Sequence, residues 1–202
     1  MRGSKVLKRI SFQGGMASGK TTLVKRLENR LRDKDIIFTY ENPFPVVEKR
    51  KKLNIDIHTE EGFRANQRLF IENEIDRFNQ LPDWKVIFDR GPEDIEFYTI
   101  HFPIANGVNW HIESNLEQEL IKLSKCRSDL IIYLDASEET LRKRMLNDKD
   151  RSRNSFEQNL KLYQFEREWF SQFNTKFVNV DNRTPVEMEA WMIKFFKEHN
   201  FL

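Results

Sequence analysis

The chain has 202 residues, enough for one domain with a sizeable core and short for two. Its formal net charge is +2 and 33% of its residues are charged, a surface-charged composition that does not single out nucleic acid as a partner. A single cysteine, Cys126, excludes an internal disulfide and fits a reducing compartment, the longest strongly apolar run (Leu130 to Leu134) is far too short for a bilayer, and Met1 to Lys5 has no apolar stretch of the secretory kind, so a cytoplasmic enzyme with no membrane partner is expected.

The first β-rich run, Arg9 to Gln13, leads directly into Gly14-Gly15-Met16-Ala17-Ser18-Gly19-Lys20-Thr21. This segment matches G-x-x-x-x-G-K-[ST] in full, and the apolar spacing of Leu23, Leu27 and Leu31 predicts an amphipathic helix from Lys20 to Leu31 directly behind it. Glycines allow several N–H groups to turn inward around phosphate oxygens, and the helix N-terminus adds a positive dipole end. Lys20 is expected to reach the outer phosphates of ATP and Thr21 to ligate Mg²⁺ through its hydroxyl, with Thr22 beside them in the nucleotide-contacting set. A chance glycine-rich turn would have to reproduce both motif and context.

The second strand candidate, Ile36 to Tyr40, ends at Glu41. In open α/β sheets ligands bind at the carboxyl ends of strands, so a carboxylate there can orient an acceptor hydroxyl and take its proton; the competing reading is a polar residue opening a turn. Glu48 to Lys52 is a basic run that could steer an anionic acceptor, but it reads first as a solvated helix face. A helix is predicted from Phe63 to Phe78. The third strand, Lys85 to Phe88, runs into Asp89-Arg90-Gly91-Pro92. Asp89 is placed to hold the Mg²⁺ shell directly or through water, and Arg90 to fork onto phosphate oxygens; the competing reading is a solvated strand-end turn.

Phe102 to Trp110, with Pro103, Asn106 and Gly107, reads as a loop. A helix from Glu113 to Leu123, a strand from Leu130 to Leu134 and a helix from Ser137 to Leu146, with Ser137 as a candidate cap, come next. The cationic stretch Arg142-Lys143-Arg144 through Arg151-Ser152-Arg153 suits a lid at 142–153 that stabilises spreading negative charge and excludes water, or equally a solvated helix end. A helix from Phe156 to Phe173, a strand from Lys176 to Val180 and a helix from Pro185 to Phe196 close the chain, with Thr184 and Pro185 suited to a helix start. Short apolar strands alternating with amphipathic helices predict an α/β doubly wound domain around a buried parallel sheet.

The order of these segments resembles the P-loop nucleoside and nucleotide kinases, above all the deoxynucleoside and thymidylate kinase-like group. The resemblance rests on the 14–21 loop, Glu41, Asp89-Arg90 and Leu134-Asp135-Ala136-Ser137-Glu138-Glu139-Thr140-Leu141-Arg142-Lys143-Arg144. It implies Glu41 as catalytic base, Arg144 and Arg151 as phosphate-contacting lid arginines with Arg153 beside them, and Gln67 as a reader of the nucleobase. On its own terms Gln67 reads as an exposed helical glutamine. The resemblance also implies that the loop with Asn182 and Arg183 wraps the adenine. Phe88-Asp89-Arg90-Gly91-Pro92, where the deoxynucleoside kinases carry Glu-Arg-Ser, is similar to the ribosylnicotinamide kinase-like group. Kinases of this group are often dimers, which leaves a homodimer open.

The expectation is a single three-layer α/β/α P-loop domain over residues 1–202, with a five-stranded parallel sheet in the order 2-3-1-4-5. Its expected activity is transfer of the γ-phosphoryl group of ATP to a nucleoside or nucleotide. The rivals are a nucleotide-hydrolysing signalling module that no small acceptor stimulates, and a kinase of nucleic-acid ends, which would call for a larger basic surface. His58, His101, His111 and His199 have no metal-ligand spacing. Of the aromatics Phe44, Phe63, Phe97, Tyr98, Phe102 and Trp110, most are expected in the core, with one or two free to stack an acceptor ring.

Overall fold

A computed structural model describes residues 7–148 and 155–202; Arg151, Arg153 and the far end of the expected lid lie outside the described residues. In chain order the first half comprises β1 (Arg9–Gln13), α1 (Lys20–Arg30), β2 (Ile36–Tyr40), α2 (Phe44–Lys52), α3 (Glu60–Asn79), β3 (Lys85–Asp89) and α4 (Pro92–Ala105). The second half comprises α5 (Ile112–Asn115), α6 (Glu117–Ser124), β4 (Leu130–Asp135), α7 (Glu138–Asn147), α8 (Phe156–Ser171), β5 (Thr175–Asn179) and α9 (Pro185–Glu198). The elements fall into two compact units, Met1–Tyr40 with Asp83–Arg90 and Asp129–Leu202, and Glu41–Pro82 with Gly91–Ser128.

The first unit holds the sheet. All pairings are parallel and the order is β2-β3-β1-β4-β5, as the sequence predicts. One face of the pleat presents Ile10, Phe12, Ile87, Ile132 and Leu134 to Leu23, Val24 and Leu27 of α1 and to Met192 and Phe196 of α9 in one buried cluster. Each such side chain contributes about 1.5–3 kcal/mol by leaving water. On the opposite pleat the Tyr133 ring lies 5.4 Å from Phe170 of α8, so helices cover both faces. The Tyr133 hydroxyl donates to Glu166 at 2.7 Å, which satisfies its buried polar tip. The register sets the end of the sheet that matters: Asp89 pairs with both Phe12 and Tyr40, so β1, β2 and β3 finish together.

Helix starts are chemically marked. Ser137 accepts from the Thr140 N–H at 3.2 Å and caps α7. Thr184 and Glu187 close a capping box on α9, with Pro185 in its first turn.

The second unit is helical. Its core holds Phe63, Ile71, Ile112, Leu116, Leu120 and Leu123. The expectation of a loop from Phe102 to Trp110 is corrected here, because α4 runs to Ala105 with Pro103 inside it. Pro103 sits in the last turn, where its missing N–H costs one intrahelical bond, and the chain leaves the helix two residues later. Phe102 is held in place by stacking on Phe63, with centroids 4.7 Å apart. Trp110 lies 5.4 Å and Tyr98 6.3 Å from the same ring, so these four aromatics make packing contacts with one another. The early part of α4 buries Glu93, Glu96 and Thr99 along with Phe97, which hides the helix from any apolar-stripe reading.

Candidate active site

The loop between β1 and α1 is built as a cradle. Gly14 has φ +129°, and a Cβ there would meet the Leu134 carbonyl oxygen at 2.6 Å, so this position is closed to other residues. Gly15 is closed for a different reason: a Cβ would lie 2.8 Å from the Tyr163 ring of α8. Ala17 also takes a left-handed conformation, φ 70°, and Met16 and Ala17 pack against the edge of the core. Lys20 is buried, and its Nζ donates to Gly14 O at 2.5 Å and Gly15 O at 2.9 Å, with Ser18 Oγ at 3.4 Å. The ammonium therefore sits among the loop's oxygens at the N-terminus of α1, in a volume bounded by backbone. Gly19 caps the helix with φ 103°, Thr21 is half-buried in the first turn and Thr22 is exposed.

Arg144 is brought to this loop by α7. One guanidinium nitrogen donates to Ser18 O at 2.8 Å and another to Val180 O at 2.6 Å. Burial holds its pKa below the ordinary arginine value, with Asp181 opposing. Asp181 accepts from the Ser137 N–H at 2.7 Å and from its hydroxyl at 3.1 Å, and the backbone bond from Ser137 holds its carboxyl below the usual range. The segment after β5 is thereby tied to the start of α7. Asn182 and Arg183 follow as exposed residues, the Arg183 guanidinium 5.9 Å from the centre of the Trp191 ring.

Asp89 ends β3 and is 6% exposed. Arg90 directly after it adopts φ 65°, a strained conformation for a residue with a Cβ, and its N–H donates to Phe12 O at 3.2 Å. That turn fixes where the Arg90 side chain leaves the strand. Tyr40, the register partner of Asp89, donates to Glu28 at 2.6 Å; burial and the carboxylates Glu28 and Asp89 raise its phenol pKa. Among the described residues no group of three or more His, Cys, Asp or Glu could hold a metal by itself. The Thr21 hydroxyl and the Asp89 carboxylate are hard oxygen donors, chemistry that fits Mg²⁺.

Glu41 and Gln67 belong to the second unit. Glu41 is exposed and lies on the wall of a cleft of about 310 Å³, together with Phe70, Asn73, Glu74, Arg77 and Ile95. Glu74 is 7% exposed and bonded to Arg77. Burial raises its carboxyl pKa, Arg77 opposes that rise, and Glu93 and Asp94 add to it. Gln67 is not the exposed helical residue its position suggested. It is 2% exposed, and its Oε1 accepts from Thr99 Oγ1 at 3.0 Å. Sequence reading missed Glu74 and Arg77 altogether; their one signal was a Glu–Arg pair three apart, ordinary on any helix surface.

A phosphate cradle on β1–α1 of a 2-3-1-4-5 parallel sheet, with an aspartate closing the neighbouring strand, defines a P-loop nucleotide-binding fold. The chain belongs to the AAA domain family, whose model matches residues 9–188. No curated protein matches it in sequence. Among solved structures it is similar to the deoxyadenosine kinase of M. mycoides with bound dCTP, at 18% identity and a TM-score of 0.69, covering 94% of this chain and 99% of that one. The same kinase with dATP gives 18% identity and 0.65 over 93% and 98%, and with the products dCMP and a flexible dCDP 20% and 0.68 over 94% and 99%. At these identities the likeness establishes a shared fold. No helix among the described residues is long and apolar enough to cross a membrane.

Proposed function

We propose that this protein is an ATP-dependent kinase that transfers the γ-phosphoryl group to a hydroxyl of a nucleoside or to a nucleotide. The observation that carries the reading is the closed cradle: Lys20 Nζ lies 2.5–2.9 Å from the carbonyls of Gly14 and Gly15, two glycines at which a Cβ would clash. The fold shared with deoxyadenosine kinase, a protein solved with dCTP, dATP and dCMP, supports a nucleoside as acceptor.

In this reading the N–H groups of residues 14–19 and the Lys20 ammonium hold the β- and γ-phosphates. Thr21 and Asp89 would hold Mg²⁺, which would supply positive charge against the charge developing on the phosphates. Glu41 takes the acceptor's proton, as an exposed carboxylate lining a cleft can do. Arg90 and Arg151 supply cationic forks to the transferred group. Arg144 fixes the loop that the nucleotide rests on and brings the Asn182–Arg183 segment to its adenine end. Gln67 reads the acceptor base from the buried face of α3.

The test is ADP formation from MgATP with and without nucleosides, using wild type and Lys20→Ala. Stimulation by at least one nucleoside, absent in the variant, supports the kinase. ADP formation that no acceptor alters would contradict it.

A further inference from the structure

Two bonds of the phosphate loop converge on Gly15. Its carbonyl oxygen accepts from the Ser18 N–H at 3.1 Å and from Lys20 Nζ at 2.9 Å. A shift of Gly15 therefore moves the turn that carries the loop's N–H groups and, with it, the seat of the ammonium. Glycine has no side chain of its own to anchor it, so its place is set by what packs on it. A Cβ at Gly15 would lie 2.8 and 2.9 Å from Cδ2 and Cε2 of Tyr163 and 3.0 Å from Cδ1 of Leu141. A ring from α8 and a methyl group from α7 thus close on the backbone of this one residue.

Tyr163 is itself pinned. Its hydroxyl donates to Ala136 O at 2.5 Å and accepts the Ala136 N–H at 3.3 Å, one residue past the end of β4. Burial pushes the phenol pKa up, so the group stays a donor. The same face of α8 is fixed to β4 farther along, where Glu166 accepts from the Tyr133 hydroxyl at 2.7 Å, Arg167 pairs with Asp135, and Phe170 packs on the Tyr133 ring. Arg142 ties α8 back to α7 through Glu157, at 2.5 and 3.0 Å. A side chain held at both ends, its ring on the loop and its hydroxyl on the sheet, passes the rigidity of the sheet to the loop.

We propose, resting on the reading of this loop as the nucleotide site, that Tyr163 is a positioning residue for phosphate binding. Its ring sets Gly15, and the Gly15 carbonyl in turn sets the Ser18 turn and Lys20. Phosphates entering the cradle must draw the ammonium from the Gly14 and Gly15 carbonyls onto their own oxygens. A Gly15 that is free to shift loses the geometry in which that exchange is favourable.

The experiment titrates MgATP calorimetrically into wild type, Tyr163→Leu, Tyr163→Phe and Phe170→Leu, with melting temperatures measured beside it. Phe170 is the control, a buried aromatic on the same helix, two turns farther along and packed on Tyr133. Tyr163→Leu removes both ring and hydroxyl and weakens MgATP binding about tenfold; Tyr163→Phe keeps the ring, frees its far end and weakens binding about threefold. Both Leu variants lower the melting temperature, but Phe170→Leu binds MgATP within about twofold of wild type. In turnover the KM for MgATP rises in the two Tyr163 variants while the KM for the acceptor does not.

MgATP bound as tightly by Tyr163→Leu as by wild type, or weakened equally in Tyr163→Leu and Phe170→Leu, would overturn the proposal. If Tyr163→Leu fails to fold, Tyr163→Phe is read against Phe170→Leu by the same criterion. Failure of the kinase reading is separate: it is ADP formation that no acceptor alters, and it leaves the comparison of MgATP affinities standing.

Discussion

Arg144 spans the phosphate loop and the end of the sheet: it donates to Ser18 O at 2.8 Å while a second nitrogen of the same guanidinium reaches Val180 O at 2.6 Å. Both oxygens are backbone, so a planar fork does work here that a single ammonium cannot. Arg144→Lys is expected to keep one bond and lose the other, at a cost of about 1–3 kcal/mol in a half-buried setting. The melting temperature should fall, and MgATP binding measured calorimetrically should weaken about tenfold. Unaltered nucleotide affinity in a folded Lys variant would show that the bridge does not set the loop.

Gly15 offers a sterically sharper test. An added methyl would lie 2.8 Å from the ring of Tyr163, which cannot yield easily because its hydroxyl donates to Ala136 O at 2.5 Å. Gly15→Ala should lose about 1–3 kcal/mol in denaturant unfolding through overpacking. Combining it with Tyr163→Ala should recover part of that loss, a coupling that a double-mutant cycle reads directly. Purely additive losses would mean that the two residues do not press on one another.

Glu74 makes a signed prediction about pH. Its native carboxyl pKa is raised, first by burial, while in the unfolded chain it returns to the ordinary value near 4.5. Between those two values the native state holds a proton that the unfolded state has released, so stability falls as pH rises through the window. Glu74→Gln removes this contribution. The stability difference, Gln variant minus wild type, should therefore increase with rising pH above the ordinary carboxyl value and level off once the native carboxyl has ionised. A difference that is flat with pH, or that decreases, would refute the raised pKa.

Glu41 is expected to act in the chemical step. Glu41→Gln should lower kcat about 100-fold or more while leaving MgATP binding unchanged, because the side chain is exposed and belongs to no core cluster. A Gln variant with wild-type kcat would remove the residue from the reaction.

Much of this site was legible in the sequence because phosphate binding draws on contiguous residues. The loop from Gly14 to Thr21 carries its own backbone geometry, and Asp89 is marked by the apolar strand that it ends. Ser137 and Thr184 announced their helices because a cap is a local event. The second unit was less readable. Glu93, Glu96 and Thr99 are buried on α4, so its pattern has no clean apolar stripe, and Pro103 looked like a break when stacking of Phe102 on Phe63 holds the turn in place. Gln67 read as exposed because its partner, Thr99, is 32 residues away. Arg144 was placed among the cations of a lid, and its bonds to Ser18 and Val180 go to main-chain oxygens, which no side-chain pattern can reveal.

The central claim is that Lys20 and its loop deliver a phosphoryl group to a small acceptor. The most direct measurement is mass spectrometry of nucleosides incubated with MgATP and the purified protein, with Lys20→Ala beside it. The account predicts that one or more nucleosides gain the mass of a single phosphoryl group in step with ADP formation, and that the variant yields neither. ADP that accumulates at one rate whatever nucleoside is present, with no nucleoside changed in mass, would contradict it and point to a hydrolysing module.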